Sequence, residues 1–378
     1  MVKFVKVKAK SILQKQKFRD NWFWNRYNLN SYRGCQFACN YCDAITEKYL
    51  VHKNYKDFSR IIYVKENAPE LLEKEVKRFK PDVVAMSGVT DPYQPAERKC
   101  KLTRNILKIL VKHNFPVHII TKSDLVLVLR DIDLLREIAR QTWCTVSLTI
   151  VTFNQDLLPY LEPFAPPPEK RLETVKRLNE EGVQAGVDFT PIVPFLLDSV
   201  ENIEEVIRKA SQYAKYVLIG AAMTLRSNQR TRFLELLHKD FPELVGKYKE
   251  LYGKQENPRQ DYVVRLNKIA FEFCKKYDIK NYISPPDFER PRKENFEVAN
   301  LLLLIAFFKE FKSGNPYSAW AYHKASQSIE NLKESIRDVY ERNELGKIPG
   351  VGKNISRVIE EFLIQGRSEK LKREINSW

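Results

Sequence analysis

Three cysteines fall within eight residues: Cys35, Cys39 and Cys42. They place three soft sulfur donors on one short loop. A structural zinc site needs a fourth Cys or His, usually as a second pair. Nearby there is only His52, without a partner. Three thiolates suit a 4Fe-4S cluster with one iron left open. That iron can take a small molecule through an amine and a carboxylate. Zinc, or a plain reduced loop, stays open as the alternative. Cys100, Cys144 and Cys274 stand alone, so the six cysteines do not read as a disulfide framework. Crowding of this kind points to metal or redox chemistry inside a cell.

The rest of the chain must position that loop. It has 378 residues, enough for two or three domains, and 43% of them are hydrophobic. No apolar run is long enough to cross a membrane. No signal peptide is visible, so a cytoplasmic, nucleoid-associated location is expected. From about residue 55 to 285, short apolar strands alternate with amphipathic helices. Strands are expected at 83–86, 117–121, 145–150, 186–192 and 216–219. Helices are expected at 102–113, 131–141 and 169–181. Such alternation argues for parallel βα units, in a barrel or an open sheet. The Pro-rich segment near 286–293 reads as a linker. Beyond it the pattern is all-helical, with helices expected at 296–311, 319–332 and 336–343. The expected division is residues 1–285, the linker, and 294–378.

Charge is unevenly spread. Lys and Arg number 64 against 48 Asp and Glu, a net charge of +16. Residues 1–33 hold nine Lys/Arg and one acid, Asp20. Trp22, Phe23, Trp24 and Tyr27 interleave with them. Basic residues displace phosphate counterions and rings stack on bases, so this stretch suits a polyanion with exposed bases. Residues 3–8 also alternate Val and Lys as an edge strand with lysines outward would.

The cysteine spacing is that of the radical S-adenosylmethionine (SAM) superfamily, including an aromatic, Tyr41, before the last cysteine. Asn28 to Cys35 resembles the approach to the cluster in the spore photoproduct lyase-like branch. Gly88 to Glu97, Leu102-Thr103-Arg104, Ile120 to Ser123, Leu161-Glu162-Pro163 and Pro168 to Leu172 extend the resemblance over roughly residues 20–225. It implies a partial (βα)6 barrel with the cluster loop over the C-terminal strand ends. It implies cleavage of SAM to methionine and a 5′-deoxyadenosyl radical that abstracts hydrogen from substrate. An electron donor such as a ferredoxin or flavodoxin is implied too. By the same resemblance Cys35, Cys39 and Cys42 hold the cluster. Lys122 and Ser147 meet the SAM carboxylate, and Tyr41 packs near the adenine. Ser87 and Asp91 belong to the strand-end segment beside SAM and substrate. Two positions depart from the branch. Gly88 stands where the lyases carry a hydrogen-donating cysteine, and Asp43 where they carry a tyrosine. Tyr93, Cys100 or Cys144 could supply a hydrogen instead, with Cys144 expected in the core and Cys100 part-exposed. Asp91 and Tyr93 are the expected catalytic residues.

Ile348 to Ile355 has the shape of a helix-hairpin-helix turn. Pro349 pre-sets the turn, Gly350 and Gly352 permit close approach, and helix-start amides then face an anion. Lys353 and Arg357 add charge. With Gly314 to Tyr317, Ala321 to Ala325 and Ile359 to Gly366, the segment resembles the N-terminal domain of X-family DNA polymerases. The resemblance implies binding of gapped, broken or damaged DNA, through Gly350, Val351, Gly352, Lys353, Arg357, His323 and Lys324. A monovalent cation at the turn is a further expectation. Val358 occupies the register of the Schiff-base lysine, so binding without sugar removal is expected. The whole then reads as a radical SAM enzyme acting on DNA, of lyase type. The alternatives are an enzyme modifying RNA or a nucleotide, and an iron–sulfur damage-binding protein that turns over no SAM.

Overall fold

The computed structural model describes residues 2–377 apart from Ala221, Pro316 and Ser318. The polymerase-like segment Gly314 to Tyr317 therefore lies partly outside the described residues. The described chain divides into two units. One comprises the residues up to Gln16 with Asn25–Ile283; the other is Lys17–Trp24 with the chain from Ser284 onward.

Among the described residues the first unit holds ten strands: β1 (Lys3–Val7), β2 (Leu13–Lys15), β3 (Tyr27–Leu29), β4 (Tyr32–Arg33), β5 (Ile61–Lys65), β6 (Val84–Met86), β7 (Val117–Thr121), β8 (Cys144–Thr149), β9 (Gln184–Phe189) and β10 (Val217–Ile219). Six of them, β3-β6-β7-β8-β9-β10, pair in parallel and in chain order. Right-handed crossovers between successive neighbours put every connecting helix on one face. The result is a singly wound, barrel-like half-turn rather than a doubly wound sheet. β2 adds an antiparallel edge beside β3. Val84, Ala85 and Met86 on β6, and all six residues of β8, are buried, as parallel strands covered on both faces require. The helices Leu102–Lys112, Ile132–Gln141, Pro168–Glu180 and Val200–Ser211 bury apolar stripes against this sheet.

β1 pairs with β5 in a separate three-stranded sheet with β4. Its lysines Lys3 and Lys6 are exposed, so this stretch is the expected basic edge strand. The aromatic half of the N-terminus departs from expectation. Trp24 is fully buried. Tyr27 is buried too, its hydroxyl donating to Lys80 O at 2.8 Å and its ring against Phe79 and Phe115. Rings already packed in protein are not free to stack on bases.

The second unit is all-helical, with Lys293–Ser313, Trp320–Glu330, Ile336–Glu341, Lys353–Gln365 and Glu369–Asn376. Its division differs from the expected one in two respects. Lys17–Trp24 belongs to it: Arg19 pairs with Glu330 at 3.0 Å and donates to Asn300, Asn21 donates to Glu310, and Trp22 packs edge-on to Phe307. The expected linker is also packed within it. Phe288 is buried, and the Arg290 guanidinium lies 3.7 Å from its ring and 4.2 Å from that of Phe296. No helix among the described residues is long and apolar enough to cross a membrane.

Candidate active site and nucleic-acid interface

The cysteine loop leaves the end of β4 through Gly34. Its φ is +86°, and a Cβ there would stand 2.6 Å from Phe58 O and 2.7 Å from Ile61 O. Only glycine fits so close a backbone approach. Gly34 O accepts from Thr90 Oγ1 (2.7 Å) and Gln94 Nε2 (3.1 Å). Gln94 Oε1 accepts from Gln36 N, and Gln36 Oε1 from Ala96 N. The stretch from Thr90 to Ala96 is thus a clamp on the loop. From the helix Ser227–Asp240, Arg232 donates to Ala38 O and Asn40 Oδ1, and Gln229 to Tyr41 O.

Cys35, Cys39 and Cys42 carry free thiols on this pinned loop. Burial pushes the Cys39 thiol up to about 12 and Cys42 up to about 11, and lifts Cys35 well above the ordinary range. Thiols raised in this way become thiolates only against a compensating cation. Among the described residues, no three His, Cys, Asp or Glu side chains converge on a point one metal ion could fill. A cluster takes each thiolate on a different iron and needs no such convergence. His52 is engaged elsewhere, with Nε2 2.7 Å from Ile61 O and its ring against Phe58 and Tyr63. The donor set fits a 4Fe-4S cluster.

A buried polar chain backs the loop. The Tyr41 hydroxyl donates to Glu162, which also accepts from Arg171. Arg171 further donates to Pro166 O and Thr149 O, at 2.8 and 2.7 Å. Lys122, just past β7, holds Nζ 5.4 Å from the Tyr41 ring centroid. Burial disfavours the Lys122 charge, but Cys39, Glu162 and Asp188 outweigh it, so its pKa is raised and it stays an ammonium. A fixed ammonium at a strand end is suited to a carboxylate.

Three expected site residues are placed differently. Asp91 accepts from Thr121 Oγ1 (2.7 Å), Tyr93 N (2.8 Å) and Lys122 N (2.8 Å). Three protein donors thus hold this carboxylate, one of them the Lys122 amide. Tyr93 is fully buried beside Asp131, Arg130 and Glu97, in an ionic cluster behind the clamp. Ser147 lies mid-strand and fully buried, its Oγ 2.8 Å from both His118 Nε2 and Tyr216 OH. It belongs to a floor one layer below the strand ends. Cys144 is core on β8, as expected, and Cys100 is half-buried. Ser87 does stand at the end of β6, its Oγ donating to Thr90 O at 3.2 Å. Gly88 is exposed with φ +111°, and a Cβ there would meet nothing within 4 Å. Backbone conformation, not crowding, separates this position from a cysteine.

In the helical unit, Gly350 has φ +85°, and its Cβ would meet Ala325 N and Lys324 Cβ at 3.1 Å. The turn is therefore pressed onto the helix Trp320–Glu330. Gly352 caps the helix Lys353–Gln365 without a side-chain cap. Its surroundings are open, and the first helical amides have no intrahelical partner. Lys324, Lys353 and Arg357 are exposed. Two expected contacts fall away. Val351 is buried in the unit's core, and its amide donates to Ile348 O. His323 is committed to Glu310, at 2.6 Å. Val358, in the same core, carries no amine.

Residues 29–210 match the Radical SAM superfamily, and residues 293–368 match a helix-hairpin-helix domain. The chain is 34% identical over 246 residues to an uncharacterized protein of Methanocaldococcus jannaschii, covering 65% of this chain and 87% of that relative. It is 30% identical over 269 residues to an uncharacterized protein of Mycobacterium tuberculosis, covering 70% and 78%. The chain belongs to the radical SAM superfamily. An 82-residue stretch is 30% identical to the DNA polymerase/3'-5' exonuclease PolX of Bacillus subtilis, over 21% of this chain and 14% of that protein. A solved spore photoproduct lyase variant shares the fold, with TM-score 0.54 and 13% identity over 74% of this chain and 82% of that one. Another variant, with bound AdoMet and dinucleoside spore photoproduct, gives 0.52 over the same shares. Thr149 and Asp188 lie at the C-terminal ends of β8 and β9, where barrel sites are built, and Arg171, from the helix Pro168–Glu180, reaches Thr149 O and Glu162 there. Sequence reasoning gave them no role. The signal was there for Asp188, the one charged residue of a strand that is apolar from Ala185 to Phe189 apart from it.

Proposed function

We propose that this radical SAM protein is an enzyme acting on DNA, in a lyase-type reaction on a photolesion or other damaged base. Cys35, Cys39 and Cys42 would hold a 4Fe-4S cluster, and Lys122 the carboxylate of SAM. When bound, these groups supply an electron and a 5′-deoxyadenosyl radical that can abstract hydrogen from substrate. This chain's residues do the remaining work. Asp91 fixes the Lys122 backbone. Glu162 and Arg171 hold the Tyr41 ring where it covers the site. Thr90 and Gln94 keep the loop rigid over the strand ends. The observation that carries the DNA assignment is the exposed hairpin turn, where Gly352 and the following amides open toward solvent between Lys353, Arg357 and Lys324. That arrangement suits backbone phosphates, read without base contacts. A phosphate-binding module in the same chain raises the local concentration of substrate. A base would have to be flipped or single-stranded to enter the barrel. A monovalent cation at the turn, a ferredoxin- or flavodoxin-type donor and a nucleoid-associated location accompany this reading.

The test is 5′-deoxyadenosine formation by reconstituted protein with UV-irradiated DNA, undamaged DNA or no nucleic acid. Stimulation by irradiated DNA alone is the expected result; product formed equally in all three removes the lesion assignment. Lys353→Glu should weaken duplex binding to a similar degree across sequences. Loss of one phosphate contact should also flatten the log–log salt dependence by about 0.9. A sequence-selective loss would contradict backbone binding.

A further inference from the structure

Asp188 is a buried carboxylate that the proposed roles leave unused. On β9, Gly186 pairs with Ser147 of β8, and two residues further on Asp188 pairs with Thr149. Gly186 and Asp188 therefore share one face of the sheet. Below, that face is closed. The Tyr216 ring occupies the space a Gly186 side chain would need, with a Cβ there only 2.5 Å from the ring. Its hydroxyl bonds Thr145 and Ser147, and His118 completes the floor. Asp188 is the next position toward the strand ends, above this floor, in the layer of Thr149 and Lys122.

Its surroundings are incomplete. Asp188 is 5% exposed. Oδ2 accepts a long bond from Thr149 Oγ1, at 3.3 Å. Oδ1 makes no well-formed hydrogen bond among the described residues, and neither does the nearby Thr190 Oγ1. Burial raises the Asp188 carboxyl to about 6, while Thr190, Lys122 and Thr149 pull the other way. A buried carboxylate oxygen without a donor is costly, and such atoms in native proteins generally face a ligand, an ion or water. Lys122, whose charge acts on Asp188, is assigned to the SAM carboxylate, and the Thr190 hydroxyl beside Asp188 is also unsatisfied, which leaves this polar pair for a bound molecule.

We propose that Asp188 is a ligand-binding residue of the barrel mouth, accepting a hydrogen bond from an N–H or O–H group of a molecule bound there. Two molecules carry such donors: SAM, through its ammonium or ribose hydroxyls, and a damaged nucleobase, through a ring N–H or exocyclic amine. The proposal rests on the radical SAM reading of this site and names one of its contacts.

Asp188→Asn preserves shape and removes the charge. The full chain, loaded with iron and sulfide, is compared with wild type in two measurements. One is the dissociation constant for SAM by equilibrium dialysis. The other is stimulation of 5′-deoxyadenosine formation by a UV-irradiated oligonucleotide at saturating SAM. If SAM is the donor, its dissociation constant rises at least tenfold. If the base is the donor, SAM binding stays within twofold while stimulation falls at least tenfold. Asp188→Ser, which withdraws the acceptor as well as the charge, is measured beside it, because an asparagine oxygen can still accept. If SAM binding and stimulation are both unchanged in a folded Asp188→Ser variant, the proposal is overturned. If neither variant folds, the carboxylate is structural and the proposal fails. The two readings fail separately. Wild type that binds SAM but ignores irradiated DNA removes the lesion assignment, and the SAM arm still decides Asp188.

Discussion

Cys39→Ala, purified without oxygen and reconstituted with iron and sulfide, should lack the brown chromophore and form no 5′-deoxyadenosine. The loop has no slack to offer a substitute donor. Gly34 is locked between the Phe58 and Ile61 carbonyls, and Arg232 and Gln229 hold Ala38, Asn40 and Tyr41 from outside. His52 is turned to Ile61 O, and Cys100, Cys144 and Cys274 lie on other elements. With two thiols left on a rigid loop, a four-iron cluster loses one of its three protein anchors. Absorbance near the visible charge-transfer band and bound iron per chain are the direct readouts. DNA binding should survive, because the hairpin turn belongs to a unit with its own core. Chromophore and SAM cleavage at wild-type level would remove the cluster assignment. Loss of DNA binding along with them would mean that the two units depend on each other.

The parts legible in the sequence are those written in local pattern. Buried parallel strands read as short apolar runs, and β6, β7, β8 and β10 fall within a residue or so of their expected places. The cysteine loop and the hairpin turn read correctly because each is a contiguous motif. What failed depended on contacts distant in sequence. Trp22 and Trp24 look like a nucleic-acid surface until Trp22 is seen edge-on to Phe307 and Trp24 fully buried. Asp91 looks catalytic until Thr121 and Lys122, thirty residues on, claim its oxygens. Ser147 looks like a strand-end ligand because periodicity gives the face of a strand but not the depth along it. Tyr216, filling the space left by Gly186, sets that depth. Val351 sits in a turn shaped by its backbone, with its amide on Ile348 O, so its apolar side chain is free to be core.

Arg171→Met should destabilise the barrel by about 3–5 kcal/mol, the usual consequence of stripping one partner from a buried ion pair. Arg171 and Glu162 are almost wholly buried, and the guanidinium also satisfies Pro166 O and Thr149 O. Burial alone would raise the Glu162 carboxyl, but Arg171 and Lys122 outweigh it and hold it below its ordinary 4.5. In wild type that depressed value contributes stability above pH ~4.5, lost as pH falls through the folded value. Without Arg171 burial has less to oppose it, and the Glu162 pKa rises. Should it pass the unfolded value, stability then falls as pH rises between the two. The gap between variant and wild type, measured by urea unfolding, should therefore be wider at pH 8 than at pH 4. Glu162→Gln combined with Arg171→Met should recover part of the loss, since the orphaned charge is gone. A double variant no better than the single one would mean that the guanidinium acts through the two carbonyls instead. The Tyr41 ring would then owe its position to the Arg232 and Gln229 anchors rather than to Glu162.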